Sequence, residues 1–447
     1  MKTKRVIALL LVLAAIFLCL ASCSPKGNGD NTSSTSGTTG LVKKDYASEL
    51  KLNMSSETKK QVVTVKTYVD GDTTHFNVPE DVIPGGVLKA RYLAIDTPES
   101  TGKIEEYGKK ASEFTKKTLS SAVSILIESD SEKWNLDSTG SRYLVWVWYK
   151  TSEDGEYRNL NLEILQNGLA AASSTGNNRY GDICLSALAQ ARAENLNVYS
   201  GEKDPDFYYG DAIELTLKEL RLNAADYTNK KVAFEGVITR NDGRSIYVEE
   251  YDSDTDMYFG ITVYYGYGLS GAGLSMIAVG NRSRIVGTVQ YYEAGGTYQV
   301  SGLTYRQMKP DDPSNVQKIS DGHDPAFVTI SADKFVSGKV TFDGDTREYS
   351  FAELAQSTTV SINGLTVKDI YTTTSDDSSS KGAMTLTCEA DGVTVYVRTA
   401  VLTDKDGKVV TQETFADKNI NVRGVVDYYD GKYQIKVLSL GDITVNN

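Results

Sequence analysis

The second half of this sequence contains an internal repeat, and that repeat constrains the fold more than any other feature. Three short strand-like segments recur in the same order, displaced by 132 to 137 residues. Residues 261–264 match 393–396, residues 287–292 match 424–429, and residues 298–300 match 433–435. Three matches with the same order and spacing indicate a duplicated domain. We therefore expect two copies of one small β-barrel, over 210–315 and 325–447, and the five-stranded OB-fold barrel suits this size.

Residues 60–205 have a different pattern, in which helices interrupt and follow strands. Alternating apolar residues predict strands near 62–65, 87–93, 122–128 and 143–149. Helical periodicity predicts helices over 105–119, 160–167 and 183–194, with Gly168 ending the second. This arrangement is typical of a small OB-fold-type barrel with packed helices. The predicted fold class is therefore mainly β: an α+β domain followed by two repeated OB-like β-barrels.

The composition limits the chemistry that the chain can perform. With 47 Lys and Arg against 59 Asp and Glu, the formal net charge is −12, which disfavours a protein held on nucleic acid mainly by a basic surface. The acidic excess lies mostly beyond residue 206, so the 60–205 domain is the better candidate for meeting a polyanion. The whole chain has 2 histidines, which argues against metal sites built on several His and leaves His75 or His323 for any Ser-His-Asp triad. Acid–base chemistry would therefore rest on carboxylates and arginines.

The first 23 residues have the proportions of a secretory signal. Lys2, Lys4 and Arg5 precede an apolar run over 6–20, which is short for a membrane-spanning helix. Residues 20–23, Leu-Ala-Ser-Cys, resemble a bacterial lipobox, in which Cys23 is lipidated and becomes the mature N-terminus. The alternative is an ordinary signal peptide with an incidental cysteine. With a flexible tether over 24–59, this predicts a lipid-anchored, outward-facing protein outside the cytoplasm.

Two further cysteines, Cys184 and Cys388, lie in the expected folded part. They are far apart in sequence and fall in different predicted domains. A disulfide bridge between them is an alternative in an oxidising compartment, but two buried free thiols are favoured.

Two acidic loops follow predicted strands of the 60–205 domain. The first, Asp70-Gly71-Asp72-Thr73, is by itself only a turn signal. The second follows the strand near 87–93. Because successive side chains in a strand point to opposite faces, we expect Arg91 and Ile95 to lie on the same face.

The second loop should present several oxygen atoms from one corner. Asp96 falls just past the predicted strand end, and Pro98 holds Thr97 extended. The Asp96 carboxylate, the Thr97 carbonyl and the Glu99 carboxylate then project together, and with Asp72 they form an oxygen-only cluster of the kind that Ca²⁺ or Mg²⁺ prefers. The alternative is an acidic surface loop in which Arg91 is a salt-bridge partner.

These residues resemble the motifs of the staphylococcal (micrococcal) nuclease family, the thermonucleases. The similarity covers about 60–202 in collinear order. The motifs that carry it are Asp70-Gly-Asp-Thr73, Arg91-x4-Asp96-Thr-Pro-Glu99, Tyr107-Gly-x-x-Ala111-Ser-x-Phe114, Asn161-x-Glu163-x-Leu165-x-x-Gly168 and Ala189-Gln-Ala191-x-x-Glu194.

The resemblance implies a Ca²⁺-dependent phosphodiesterase and assigns roles to individual residues. Asp72 and Asp96 match the calcium carboxylates, and Thr97 matches the residue that ligates through its backbone carbonyl. Glu99 matches the carboxylate that orients or deprotonates the attacking water, and Arg91 matches the first of two phosphate-binding arginines.

The second arginine of the family follows an Asp-x-x-Gly-Arg motif, from which this chain departs. Here Ser141 is interposed between Gly140 and Arg142. We assign Arg142 because the strand that follows it is in register with the family's, although the extra residue alters the turn.

This set of residues predicts an enzyme with DNA, RNA or both as substrate. Because the matched contacts are to phosphate, sequence specificity should be low, and the resemblance implies 3′-phosphate products. The alternative is a non-catalytic surface lipoprotein that retains the nuclease fold. Asp72, Arg91, Asp96 and Glu99 are all present, which favours the enzyme. The repeats could contact nucleic acid through their many tyrosines, or act as a spacer or protein contact; the oligomeric state is left open.

Overall fold

The structure, a computed structural model, describes residues 43–446 apart from 103, 267, 294, 343–345, 376, 377 and 379. The predicted signal, the lipidation site Cys23 and the start of the tether lie outside the described residues. The chain divides into residues 1–44 and a unit of residues 45–447. None of the helices in the described part of the chain is both long and apolar enough to cross a membrane.

Residues 45–59 belong to the folded unit, whereas a flexible tether was expected over 24–59. Helix α1 (Tyr46–Glu49) begins after Asp45, whose carboxylate accepts hydrogen bonds from Arg158 at 2.8 Å and from Gln166 at 3.0 Å. Ala47 is fully buried, and Leu50 packs against the core of the first domain. The expectation was wrong for these residues because the low-complexity composition ends before them.

The first domain is a small barrel with helices packed against it. Strand β1 pairs antiparallel with β2 and β5, β2 with β3, and β5 with β6. The parallel pairing of β3 with β6 closes these five strands. Its elements are β1 Lys60–Asp70, β2 Thr73–Asn77, β3 Val87–Tyr92, β4 Ile95–Asp96, α2 Gly108–Ser120, β5 Ser124–Glu128, β6 Tyr143–Lys150, β7 Arg158–Asn159, α3 Leu160–Gln166, β8 Ala171–Ala172 and α4 Gly181–Ala193.

Strand β6 forms the centre of this domain's core. Trp146 and Trp148 are fully buried, and their indole N–H groups donate to Asp130 at 2.8 Å and Glu128 at 3.0 Å. A buried tryptophan is stable when its N–H has such a partner. Helix α4 packs its small residues, Cys184 among them, onto the core, and this rigid base supports the loops at the barrel's end.

Two further barrels follow, and they have the same strand connectivity as each other and as the first domain. In each, three strands form a meander, the third pairs parallel with the fifth, and the fourth pairs with the first. The elements of the first repeat are β9 Ile213–Glu214, α5 Leu217–Leu222, β10 Lys231–Asn241, β11 Ser245–Asp252, β12 Met257–Tyr264, α6 Ala272–Met276, β13 Arg282–Tyr292, β14 Thr297–Ser301 and β15 Gln317–Ser320. Those of the second are β16 Val328–Thr329, α7 Ala332–Ser337, β17 Lys339–Thr341, β18 Glu348–Ser350, α8 Phe351–Leu354, β19 Thr359–Thr372, β20 Met384–Ala390, β21 Val393–Thr399, β22 Asn419–Tyr429, β23 Lys432–Val437 and β24 Ile443–Val445.

The three sequence matches fall on equivalent strands of the two repeats. Residues 261–264 and 393–396 lie in β12 and β21, and the other pairs lie in β13 with β22 and in β14 with β23. The β22–β23 hairpin turns at Asp430 and Gly431, whose φ angles are 50° and 77°, as a tight Asp-Gly turn requires. The mainly β fold class with OB-like repeats is confirmed.

The two repeats are not separate bodies. Tyr349 and Leu354, from the second repeat's part of the chain, pack into the core of the first. Lys436 of the second repeat donates to Asp242 at 3.0 Å and to the Tyr247 hydroxyl at 2.6 Å in the first. The repeats therefore fold against each other.

Cys184 and Cys388 are free and buried, as favoured from the sequence. Burial raises the pKa of each thiol to about 12.

Candidate active site

The turn between β1 and β2 places Asp72 at the centre of the site. Asp72 is 1% exposed. Its Oδ2 accepts the backbone N–H of Thr97 at 2.9 Å, and its Oδ1 accepts the hydroxyl of Thr73 at 2.9 Å. Burial raises the pKa of Asp72, and Arg91 and these hydrogen bonds oppose that effect. The two acidic loops predicted from the sequence are thus joined through this one carboxylate.

Gly71 allows this close approach. A Cβ on Gly71 would lie 2.9 Å from the Thr97 side chain and 3.0 Å from the Cβ of Ala111 on α2. Contacts below 3.0 Å require something to move, so a glycine is needed where Thr97 and α2 meet the turn.

Arg91 on β3 links two carboxylates. Its guanidinium donates to Oδ1 of Asp72 at 2.7 Å and to Oδ1 of Asp96. The Arg91 side chain is 19% exposed and that of Asp96 is 59% exposed. Arg91 is therefore a salt-bridge partner, as in the alternative interpretation of this cluster, while it also lies beside the proposed calcium carboxylates.

The chain between Arg91 and Asp96 differs from the expected continuous strand. Strand β3 ends at Tyr92, and Ala94 adopts a φ of 65°, which is uncommon for a residue with a side chain. Ile95 and Asp96 form the short strand β4, paired with Ala171 and Ala172. The prediction that Arg91 and Ile95 share one strand face was therefore wrong, because the pairing of β4 with residues 171–172 turns the chain after Tyr92.

Glu99 lies beside a second buried carboxylate, Asp70. Partial burial, the hydrogen bond with Asp70 and the charges of Asp70 and Asp72 raise the pKa of Glu99 to about 8. Ser100 donates its hydroxyl to Asp70 Oδ1 at 2.7 Å. A Cβ on Gly108 would lie 2.1 Å from the Glu99 carbonyl oxygen, so the first turn of α2 packs directly on the Glu99 backbone.

Asp70 is a site residue that the sequence analysis left without a role. It is 7% exposed, and it accepts hydrogen bonds from the backbone N–H groups of Gly71 at 2.7 Å and Ser100 at 3.3 Å. The Asp-Gly-Asp spacing was the signal for it, since a turn that buries one aspartate for ligation also positions the other.

Arg142 directly precedes β6, the strand beside β3. Tyr143 and Leu144 are in register with Ala90 and Arg91, which places Arg142 toward the end of the barrel that precedes Arg91 along β3.

The Arg142 side chain is held within its own turn by Asp137. Its Nε donates to Asp137 Oδ2 at 2.7 Å. Burial opposes the ionisation of Asp137, but hydrogen bonds from Thr139 and Arg142 outweigh it and lower the pKa of Asp137 to about 2. The turn that contains Ser141 is closed by a hydrogen bond from the Asp137 N–H to the Arg142 carbonyl at 2.8 Å. The structure thus brings Asp72, Arg91, Asp96, Thr97 and Glu99 together and places Arg142 in the turn before the adjacent strand.

The side chains of this cluster carry oxygen atoms, the ligands that a hard cation such as Ca²⁺ prefers. In the described residues, no group of three or more His, Cys, Asp and Glu side chains is arranged to hold a metal ion, and Arg91 binds both Asp72 and Asp96. Both carboxylates nevertheless lie within reach of one guanidinium. The Thr97 Oγ1, buried beside them, has no hydrogen-bond partner among the described atoms. To hold a cation, Asp72 and Asp96 would have to be released by Arg91.

Comparison with known proteins identifies relatives of the first domain. The family described as "Staphylococcal nuclease homologue" matches residues 89–201. A protein named "Thermonuclease" from Staphylococcus intermedius is 30% identical over 149 residues, which cover 32% of this chain and 80% of that protein. This chain belongs to the staphylococcal nuclease family. The family match contains Arg91, Asp96, Glu99 and Arg142 and ends before the two repeats, so the nuclease-type function applies to the first domain.

Proposed function

We propose that the chain is a Ca²⁺-dependent nuclease that hydrolyses phosphodiester bonds of DNA, RNA or both with low sequence specificity. The observation that carries this proposal is the joining of Asp72, Arg91, Asp96 and Thr97 by direct hydrogen bonds, with Glu99 close by, in a domain of the nuclease family.

The arginines would bind the substrate phosphate. A guanidinium offers paired donors that match phosphate oxygens. Ca²⁺, which Asp72, Asp96 and the Thr97 carbonyl would hold, would screen the phosphate charge and help to place the attacking water. Arg91 would then donate to the phosphate oxygens in place of the carboxylates. Arg142, held by Asp137, would approach the phosphate from the turn before β6. Removing one such donor costs roughly 10²–10³ in rate in comparable sites.

Glu99 would act as the general base. It lies at the start of the loop that follows the Thr97 corner, and its carboxylate would accept a proton from the attacking water. General-base assistance is worth about 10²–10⁴ in rate. Asp70 and Ser100 would hold this part of the chain in place without contacting the substrate.

Low sequence specificity follows from the kind of contact. Every proposed substrate contact is to phosphate, which fixes position without reading bases. The family resemblance implies endonucleolytic cleavage with 3′-phosphate products. The repeats would add nucleic-acid or protein contacts.

The proposed location is outside the cytoplasm, at the membrane. Cys23 would carry the lipid anchor, and an outward-facing nuclease would act on nucleic acid in the surroundings. The sequence of the first 23 residues supports this part of the proposal.

A second candidate is a non-catalytic surface lipoprotein that retains the nuclease fold and binds nucleic acid or protein. The observation that favours it is the Arg91 bridge, since the arginine already offsets part of the charge of the two carboxylates and occupies one oxygen of each.

Digestion of plasmid DNA and of RNA by the full chain tests the two candidates. We expect cleavage with Ca²⁺, none with EDTA, and a 10²–10⁴-fold lower rate for Glu99→Gln. Glu113→Gln, an exposed glutamate on α2, is the matched control and should retain the rate. Cleavage unaffected by EDTA and by Glu99→Gln would contradict the assigned site, and binding without cleavage would favour the second candidate.

A further inference from the structure

The segment of residues 99–102 and 104–107, which begins with Glu99, is held by residues that lie beyond the family match of the nuclease domain. Glu99 itself projects from this segment, so anything that fixes the segment also fixes the proposed general base. Two parts of the chain beyond residue 201, where the family match ends, form hydrogen bonds with it.

The first contact comes from the β13–β14 hairpin of the first repeat. The side-chain Nε2 of Gln290 on β13 donates to the backbone carbonyl of Ser100 at 3.0 Å. The other side of Ser100 is bound to Asp70 through its hydroxyl and its N–H. Ser100 is therefore fixed between a buried carboxylate of the nuclease domain and an amide of the repeat.

Ser301 on β14 orients the Gln290 amide. Its hydroxyl donates to Gln290 Oε1 and lies 3.2 Å from the carbonyl oxygen of Gly102. Since Oε1 accepts from Ser301, the Nε2 end of the amide must face Ser100. Either position of the single hydroxyl proton links Ser301 to the segment, directly or through Gln290.

The second contact comes from the connection between the two domains. The backbone N–H of Tyr107 donates to Asp204 at 2.6 Å, and Asp204 is 2% exposed. The Tyr209 hydroxyl lies 2.8 Å from the Asp204 N–H and donates to Glu106 at 2.6 Å. The far end of the segment is thus anchored as well.

We propose that Gln290, oriented by Ser301, is a positioning residue for catalysis: the first repeat fixes the segment that carries Glu99 and so sets the general base against the scissile phosphate. This inference rests on the proposed function. A catalytic group displaced by about 1 Å can lose up to about 10²-fold in rate, so a bond to the neighbouring residue is sufficient to matter. Gln290 thereby contributes to kcat without itself contacting the substrate.

Other contacts between the nuclease domain and the first repeat are less suited to fix the position of Glu99. The ion pair between Lys116 on α2 and Glu293 is 2.6 Å long, but its side chains are 44% and 68% exposed, and exposed pairs contribute little. Gln290 instead donates to the backbone carbonyl of Ser100, the residue after Glu99, so it acts directly on the position of the proposed general base.

The test compares Gln290→Met with Gln317→Met in the full chain. Methionine keeps the length of glutamine and removes both polar atoms. Gln317 lies on β15 at the edge of the same barrel, so its replacement controls for general effects on the repeat. Ser301→Ala is the second variant.

We expect Gln290→Met to lower kcat about 10-fold, to change KM by less than about 2-fold, and to accelerate hydrogen exchange of the amides over 100–107. Ser301→Ala should shift both quantities in the same direction by less, and Gln317→Met should shift neither. Unchanged kcat and unchanged exchange in Gln290→Met would overturn the proposal, as would equal losses in Gln290→Met and Gln317→Met. Exchange does not require activity, so a wild-type chain that lacks nuclease activity would contradict the proposed function while the exchange comparison still decides whether Gln290 fixes the segment.

Discussion

The Arg91 guanidinium donates to Oδ1 of Asp72 at 2.7 Å, so a proposed phosphate ligand is held by a proposed calcium ligand. The same guanidinium binds Asp96. A Ca²⁺ ion bound as proposed would therefore compete with the arginine for the same carboxylates before substrate is present.

Arg91→Ala should separate metal binding from catalysis. Loss of the guanidinium leaves the buried Asp72 without its counter-charge, so the metal-free chain should melt at a lower temperature. Added Ca²⁺ should raise the melting temperature of this variant by more than that of the wild type, while kcat falls about 10²–10³-fold. Lys89→Ala, on the same strand, is the control. A smaller Ca²⁺-induced shift in Arg91→Ala than in Lys89→Ala would contradict the competition.

Gly71→Ala should lower the stability of the fold and weaken Ca²⁺ binding at the site. The added Cβ would lie 2.9 Å from the Thr97 side chain, and relieving such a contact typically costs about 1–3 kcal/mol. Urea unfolding should show that loss, and calorimetry should show weaker Ca²⁺ binding because Thr97 is displaced. Gly176→Ala is the control, since nothing lies within 4 Å of a Cβ there. Equal stabilities of the two variants would refute the steric argument.

Calcium binding should release a proton near neutral pH. Partial burial and the neighbouring carboxylates raise the pKa of Glu99 from 4.5 to about 8, so we expect its carboxyl to be mostly protonated at pH 7, whereas a bound cation favours the charged form. Ca²⁺ affinity should therefore rise with pH between 6 and 8, by up to about 10-fold per pH unit for one proton. Calorimetry in buffers of different ionisation enthalpy measures the released proton.

The raised pKa of Glu99 should also make the fold less stable as the pH rises in the absence of Ca²⁺. A carboxyl whose folded-state pKa is raised stabilises the fold below pH 4.5, and this contribution is lost as the pH rises through about 8. Glu99→Gln should flatten both pH profiles. Identical proton release in Glu99→Gln and wild type would assign the titration to another group.

The anchor is testable by labelling in a bacterial host that processes lipoproteins. Wild type should incorporate labelled fatty acid and sediment with membranes, because two or more chains give stable anchoring. Cys23→Ala should lose both properties, and Cys19→Ala, within the apolar run, should keep them. Labelling that persists in Cys23→Ala would refute the lipobox interpretation.

Local sequence signals predicted the elements of this fold well. The Asp-Gly turn at Asp430 and the helix stop at Gly168, whose φ is 66°, depend on neighbouring residues alone. The repeat likewise indicated two similar barrels, because matching strands require matching pairings. The assigned roles of the site residues stay predictions, although the structure places five of them together.

Features that depend on distant contacts could not be predicted in this way. The strand that carries Arg91 stops at Tyr92 because Ile95 pairs with Ala172, and no local pattern encodes that partner. The hydrogen bond between Gln290 and Ser100 joins residues 190 positions apart. Asp45 was assigned to a tether because its contact with Arg158 spans 113 positions.

The hydrogen bond from Tyr107 to Asp204 bears on where this chain could be divided. Asp204 lies after the family match ends at residue 201, yet it anchors the stretch of backbone that begins with Glu99. A truncation after residue 201 would keep every proposed catalytic group but would remove the hydrogen bond that anchors this stretch. Fusions and grafts made from this chain would therefore have to extend past residue 204, since the junction that joins the first domain to the repeats also fixes the backbone next to the proposed general base.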